Sequence, residues 1–323
     1  MAKYLLINDV HLSDRPPSSC TDTYLDDLFD LLGQVVVLAR VQQVRALVIA
    51  GDLFHCKAPS RVSHRMMIRL VKWIRSAPCP VAVVAGNHDL QHDRVESLDE
   101  TQPLGMLVKS DLVRLLDGWD PDFPLYGVPW QQGYGAYTEE IDTAVGRALA
   151  AWRGPKRNAL VVTHAPLYPP GLELEYEFFP AERWAEAMGG SGSCYYGHVH
   201  ERHGIWQAGG VTFCNPGALS RGSLHEHNLT RMPACVVWDS DTRRFNEIIL
   251  RSRPPEEVFR LKEAREVTDM RGRLDEFLAA IGSTTLEGVS VESVIEHIRS
   301  LGLPEADTAL AIDLLMEAAN DHS

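Results

Sequence analysis

Hydrophobic and polar positions alternate on two scales along this chain. Short apolar runs each end on a polar residue, and between them apolar residues recur at helical spacing. Residues 3–8 form the first run and stop at Asp9. After a loop over 14–22 rich in Asp, Pro and Ser, the pairs Tyr24-Leu25, Leu28-Phe29, Leu31-Leu32 and Val35-Val36 predict a helix. A continuous run over 46–50 ends at Gly51-Asp52. A second helix is predicted over about 60–75 through Met66, Met67, Leu70, Val71 and Ile74, and the run 81–85 delivers Gly86-Asn87-His88-Asp89. Strands and helices in this order, with polar residues at the strands' carboxyl ends, predict a layered α/β domain whose site lies in the crevice outside those ends.

The second half repeats the pattern, with a helix over about 139–152, a strand over 159–163 ending at His164, and a strand over 193–196 ending at Gly197-His198. Residues 211–213, 234–238 and 245–250 read as strands without intervening helices, so that side of the sheet is expected to be antiparallel or mixed. Past Leu250 the texture changes. Arg251-Ser-Arg-Pro-Pro255 marks a break, and 256–281, 291–301 and 305–319 read as helical and acidic. The expected division is a catalytic domain over 1–250 and a helical region over 251–323. Stripes such as Leu274, Phe277, Leu278 and Ile281 suit that region to partner docking or oligomerisation.

Composition adds limits. With 45% hydrophobic and 23% charged residues the chain is an ordinary globular protein. The N-terminal apolar run is short and meets an acidic residue at once, so it reads as a strand and not a signal peptide. No apolar run approaches the roughly 20 residues of a membrane span, and a cytoplasmic location is expected. Six cysteines lie far apart without a CxxC pair, which predicts free thiols. The net charge of −13 sits awkwardly with the basic footprint of a nucleic-acid binder. Residues 251–323 hold 8 Lys and Arg against 15 Asp and Glu, or −7, which leaves −6 for residues 1–250. Bound cations would offset part of that remainder.

The chemistry lies in Asp9, His11, Asp52, Asn87, His164, His198 and His200, seven oxygen and imidazole donors that follow apolar runs. In an extended segment residues i and i+2 share a face, so Asp9 can point with His11, and His198 with His200. Two divalent cations about 3.5–4 Å apart clamp a phosphoester, and seven such donors suffice to hold them.

Asp9-x-His11, Gly51-Asp52, Gly86-Asn87-His88-Asp89, Thr163-His164 and Gly197-His198-x-His200 resemble, in order and spacing, the motifs of the calcineurin-like metallophosphoesterase superfamily over residues 3–250. The resemblance implies a four-layered α-β-β-α sandwich with a C-terminal helical appendage. It implies one metal on Asp9, His11 and His200, a second on Asn87, His164 and His198, and Asp52 bridging them. It also implies His88 as the catalytic imidazole, oriented by Asp89. Manganese is the expected metal, with magnesium, iron and zinc as alternatives.

Ala50-Gly-Asp-Leu-Phe-His55 with Ala58-Pro-Ser60 further resembles the SbcD-type exonuclease subunit of double-strand-break repair, in which the residue matching His55 assists the reaction. That resemblance implies DNA as substrate and an SbcC-like coiled-coil ATPase as partner, while the apolar stripes past Leu250 also suit a second copy of the chain. Arg61, Arg202 and Arg221 are expected to contact phosphates. Trp130 and Tyr134 could stack bases, although buried packing is the more ordinary role of such aromatics. Two other classes stay open: a phosphodiesterase or phosphatase for small nucleotides, and a non-catalytic scaffold.

Overall fold

Alternate residues of each central strand belong to different cores. In β1 (Lys3–Ile7), Tyr4 and Leu6 face one apolar cluster while Leu5 and Ile7 face another. The same period of two holds in β2 (Ala46–Ala50) and β3 (Val81–Val84), so this sheet is buried on both faces. The structure, a computed structural model, describes residues 2–92, 94–131, 139–153, 159–171, 178–262 and 291–300, with 308, 309 and 312.

The first sheet continues with the two-residue β4 (Arg114–Leu115), and β1 to β4 run parallel. Its outer face is covered by α1 (Tyr24–Val41), α2 (His64–Ser76) and α3 (Pro103–Lys109), which contribute Leu28, Leu32, Leu70, Trp73 and Leu104. The second sheet holds β5 (Gly118–Trp119), β6 (Leu125–Val128), β7 (Leu160–Thr163), β10 (Gly192–Tyr196), β11 (Gly204–Ala208) and β12 (Val211–Asn215). The strands β8 (Leu167–Tyr168) and β9 (Phe179–Pro180) form a separate small pair. Val145 of α4 (Glu139–Ala148) and Trp184 of α5 (Ala181–Ala187) pack on the outer face of the second sheet. Leu6, Val48 and Val84 meet Leu125, Val162 and Tyr195 between the sheets. The layers are therefore helix, sheet, sheet, helix, as expected.

Strands β13 (Ala234–Asp239) and β14 (Arg244–Ile249), which follow the short α6 (Glu226–Thr230), are an antiparallel hairpin as their spacing predicts. They return to the first sheet, where β13 pairs with β1, and β12 stays parallel to β10 in the second. Helix α2 begins later than expected. Pro59–Arg61 is a separate 3-10 turn, and the Ser63 hydroxyl caps the helix by accepting from the Met66 N–H at 3.1 Å. All six cysteines are free, and Cys20, Cys194, Cys214 and Cys235 are buried.

The chain divides into two units, Met1–Leu261 and Lys262–Ser323. The first runs past Leu250 because the following segment is tied to α1 and the loop before it. Gln34 bonds the main chain of Arg251, Arg253 pairs with Asp30 at 3.1 Å, and the Thr21 N–H donates to the Val258 carbonyl near α7 (Pro255–Val258). In the second unit, α8 (Val291–Ser300) falls within the expected helix over 291–301. Most of the stretches 263–281 and 305–319 lie outside the described residues. Among the described residues no helix is long and apolar enough to cross a membrane.

Candidate metal centre

Four of the expected ligands stand in left-handed backbone: Asp9, His11 and Asp52 at φ 49° and His198 at φ 74°. Non-glycine residues rarely adopt this region, at a cost of order 1–3 kcal/mol each, and it persists where surrounding contacts over-determine it. Here the Asp9 N–H donates to the Gly51 carbonyl and the His11 N–H to the Asp52 carbonyl, so the loops after β1 and β2 fix each other. Glycines permit the approach. A Cβ on Gly51 would lie 1.9 Å from His164 Nδ1, and one on Gly86 would lie 2.2 Å from Asp52 Oδ1.

The seven donors converge from both sheets. Asp9 and His11 follow β1, Asp52 follows β2 and Asn87 follows β3, while His164 follows β7 and His198 and His200 follow β10. Donor atoms of Asp9, His11 and His200 lie within 4.8 Å of one another. His11 Nε2 is 3.0 Å from His200 Nε2 and 3.5 Å from Asp52 Oδ2. In the other group, Asn87 Oδ1 is 3.1 Å from both His164 Nε2 and His198 Nδ1, and His164 Nε2 is 3.3 Å from Asp52 Oδ2. Asp52 thus touches both groups, the place expected of a bridging ligand.

The donor chemistry suits cations. His164 Nδ1 lies 2.9 Å from the Ala50 carbonyl, an acceptor only, so this nitrogen carries the hydrogen. Nε2 of the same ring then faces two oxygen acceptors and needs a positive species between them. Without metal that species is a proton: burial disfavours it, but the Asp52 and Asp9 carboxylates prevail and push His164 up to about 9. Burial likewise works against charge on Asp52, and His164 and His11 hold its carboxyl well below the usual range. A divalent cation would take that proton's place. The two Nε2 atoms, 3.0 Å apart, are also close enough to share one cation, since imidazole–metal bonds run about 2.0–2.1 Å.

Supporting residues, all but Trp130 of which escaped the sequence reading, hold the ligands. The Tyr195 hydroxyl donates to Asn8 Oδ1 at 2.8 Å, and the Asn8 amide donates to Asp9 Oδ2 at 2.6 Å. Ser220 bonds the Asp9 carbonyl through both N–H and hydroxyl, and Arg231 donates to the carbonyls of Ala218 and Ser220. Trp130 stacks on the His198 ring at 4.7 Å, which gives this aromatic a wall of the centre to form. Of those that escaped, only Asn8, adjacent to a motif residue, could have been found from the sequence. Tyr134 lies outside the described residues.

His88 stands at the edge of the centre, its ring 4.9 Å from that of His11 and stacked 5.5 Å from that of His55. The expectation that Asp89 orients it requires correction. The Asp89 carboxylate is buried and accepts from the N–H groups of Gly86 at 3.0 Å, Phe54 at 3.2 Å and, more loosely, Leu53 at 3.4 Å. The His88 ring is instead held at Nδ1 by the His55 carbonyl at 2.7 Å.

The expected phosphate contacts also divide. Arg221 is 3% exposed and bonds Asp27 at 3.3 Å and the Arg253 carbonyl at 2.7 Å, so it cannot reach a substrate. Arg202 is engaged by Glu247 through Nε at 2.7 Å and Nη2 at 2.5 Å. Arg61 is exposed, makes no ion pair among the described residues and acts electrostatically on His55.

Two sheets that bring carboxylate, amide and imidazole donors to one crevice, with a free imidazole at its edge, define a metallophosphoesterase. The chain matches the calcineurin-like phosphoesterase family over residues 2–202 and belongs to it. It is accordingly a phosphoric-ester hydrolase, of a family that uses two divalent metals. It is similar to the DNA double-strand break repair protein Mre11 of Saccharolobus solfataricus, at 23% identity over 228 residues covering 68% of this chain and 54% of that one. The Mre11 of Sulfolobus acidocaldarius is 20% identical over 241 residues, covering 72% and 59%. The chain therefore spans little more than half the length of these curated relatives. The fold resembles that in the crystal structure of TT1561 of Thermus thermophilus, with a TM-score of 0.50 and 15% identity, covering 77% of this chain and 99% of that one.

Proposed function

We propose that the chain is a manganese-dependent DNA exonuclease or endonuclease of the SbcD type, acting in DNA repair or recombination. The observation that carries this reading is the pairing of His55 with His88 beside the seven-donor centre, since His55 lies in the segment whose resemblance to the SbcD-type subunit suggests a nuclease. Bound cations would polarise the phosphoryl oxygens and acidify water. This chain's residues do the rest. Asp52 ties the two donor groups together, Asn87 fixes the second, and Trp130 holds the His198 ring. With Nδ1 donating to the His55 carbonyl, His88 points Nε2 at the substrate, and in the imidazolium form its Nε2–H would donate to the phosphate and pass that proton to the leaving oxygen, leaving the neutral Nδ1–H tautomer.

Labelled duplex DNA, single-stranded DNA and mononucleotide esters, incubated side by side with the protein and manganese, test the reading. Metal-dependent shortening or nicking of DNA is expected. Hydrolysis of the small esters with DNA left intact would establish the small-nucleotide phosphodiesterase, which the net charge of −13 and the engagement of Arg202 and Arg221 favour. We assign the part of the helical region that lies beyond the first unit, residues 262–323, to docking on an SbcC-like ATPase or on a second copy. Unchanged size by light scattering, alone at high concentration and mixed with such an ATPase, would dismiss that role.

A further inference from the structure

Between Leu53 and His88 the chain has six Lys and Arg and not one Asp or Glu, in a protein of net charge −13. This stretch contains α2. The buried face of the helix carries Met66, Leu70, Trp73 and Ile74, and its exposed face carries Arg65, Ile68, Lys72 and Arg75 at intervals of three, four and three residues. The four exposed residues form one stripe along the helix. Arg69, at the margin of that stripe, is neutralised by Asp26 at 2.7 Å and lies over the Phe29 ring. Among the described residues Arg65, Lys72 and Arg75 make no hydrogen bond or ion pair with their side chains, so each presents an uncompensated charge to solvent.

The stripe is rigid and joined to the metal centre. Ser63 caps the helix, and both its N–H and its hydroxyl donate to Asp14 at 2.6 Å. The preceding turn, Pro59–Arg61, leads back to His55, whose ring stacks on that of His88. Cations therefore continue from the catalytic edge through Arg61 onto α2. On the other flank Arg202, Arg221 and Arg231 are tied to protein acceptors.

We propose that the exposed face of α2 is the track for the phosphate backbone of a nucleic-acid strand whose scissile phosphate lies at the metal centre. The inference rests on the nuclease reading given above and adds a surface to it. Arg65 and Arg75 are ten residues apart on the helix, or about 15 Å, which matches roughly four nucleotides of one duplex strand at about 3.4 Å each. Two of the stripe's three cations are arginines, whose planar forks match phosphate oxygens. Such contacts position a strand without reading its sequence, which suits an enzyme that trims ends of any sequence. The repulsion between two such stripes argues against a second copy on this face, and the regular spacing on a rigid helix favours a polymer of evenly spaced charges over an acidic protein segment.

The test is a triple variant, Arg65→Gln, Lys72→Gln and Arg75→Gln, in the full chain. Glutamine matches Arg and Lys in helix propensity, so α2 persists, and a circular-dichroism melt checks it. Manganese-dependent hydrolysis of bis(p-nitrophenyl) phosphate should equal that of the wild type. Affinity for linear duplex DNA should fall at least tenfold at about 0.1 M salt, and the slope of log affinity against log salt should flatten by about 2–3, the release expected for three lost phosphate contacts. Equal affinity and slope in the two proteins would overturn the proposal. So would a rise in DNA cleavage by the variant, which would mark the stripe as the seat of an acidic segment, or conversion of a wild-type dimer to a monomer with the slope unchanged. A wild type that hydrolyses the small ester but neither binds nor cuts DNA would refute the nuclease reading itself, and the track with it.

Discussion

His88 Nδ1 lies 2.7 Å from the carbonyl oxygen of His55, so the main chain of one histidine fixes the tautomer of the other. A ring that donates from Nδ1 offers Nε2 to the substrate, and neither nitrogen is needed to hold the seven-donor set. Replacing His88 by Ala should leave both metals bound and lower turnover by about 10²–10⁴, the usual range for a lost general acid. Asp52→Ala should empty the centre, since its carboxylate touches both donor groups. Elemental analysis of the two variants beside their turnover checks the assignment, and equal metal loss would refute it.

Asp89 acts on stability more than on chemistry. Its carboxylate holds the N–H groups of Gly86 and Phe54, joining the loop after β3 to the loop after β2. Asp89→Ala strands those donors in a buried place at about 1–3 kcal/mol each, and urea unfolding should register the loss. Asp89→Asn keeps an acceptor oxygen and should be milder. In that variant the pH–rate profile should keep its shape, because the carboxylate does not touch His88.

Arg221→Ala should leave Asp27 buried without its closest cation and destabilise the fold by about 3–5 kcal/mol. The salt dependence of DNA affinity should not move. A flatter salt slope with unchanged stability would restore Arg221 as a phosphate contact.

His203 supplies a pH dependence. Burial pushes its imidazole down to about 4. Nδ1 is bonded to the Tyr196 hydroxyl at 2.7 Å, and Nε2 is buried without a partner among the described residues. The unfolded chain binds this proton near pH 6.5, so between about 6.5 and 4 the unfolded state holds more protons than the folded one. The contribution to stability is present above that window and is lost as pH falls through it. His203→Gln should narrow the difference in Tm between pH 7.5 and pH 5 by roughly 2–4 °C, measured by calorimetry.

The convergence of the seven donors was legible because strand-end donors are local signals: an apolar run followed by Asp-x-His or Gly-Asn-His announces itself within ten residues. The layered fold followed from the same runs. What escaped has non-local causes. Asp89 sits next to His88 in the chain, yet its partners are main-chain N–H groups, which no residue identity reveals. Arg221 looks like a surface cation until α1 brings Asp27 against it. Strands β13 and β14 read correctly as strands, but nothing in their composition says that they return to β1 on the first sheet. The strand β11 was missed because its exposed edge position spares it a continuous apolar run, and α3 and α5 are two turns or less.

The donors come in two sets, Asp9, His11, Asp52 and Asn87 from one sheet and His164, His198 and His200 from the other. A cation pair held by these donors would therefore act as a rivet through the molecule, joining two halves that otherwise meet mainly through apolar side chains. Sequestering the ions with a chelator should loosen that clamp as well as silence the enzyme, and the first motion released should be a gape at the strand ends while the far rim of the sandwich stays shut.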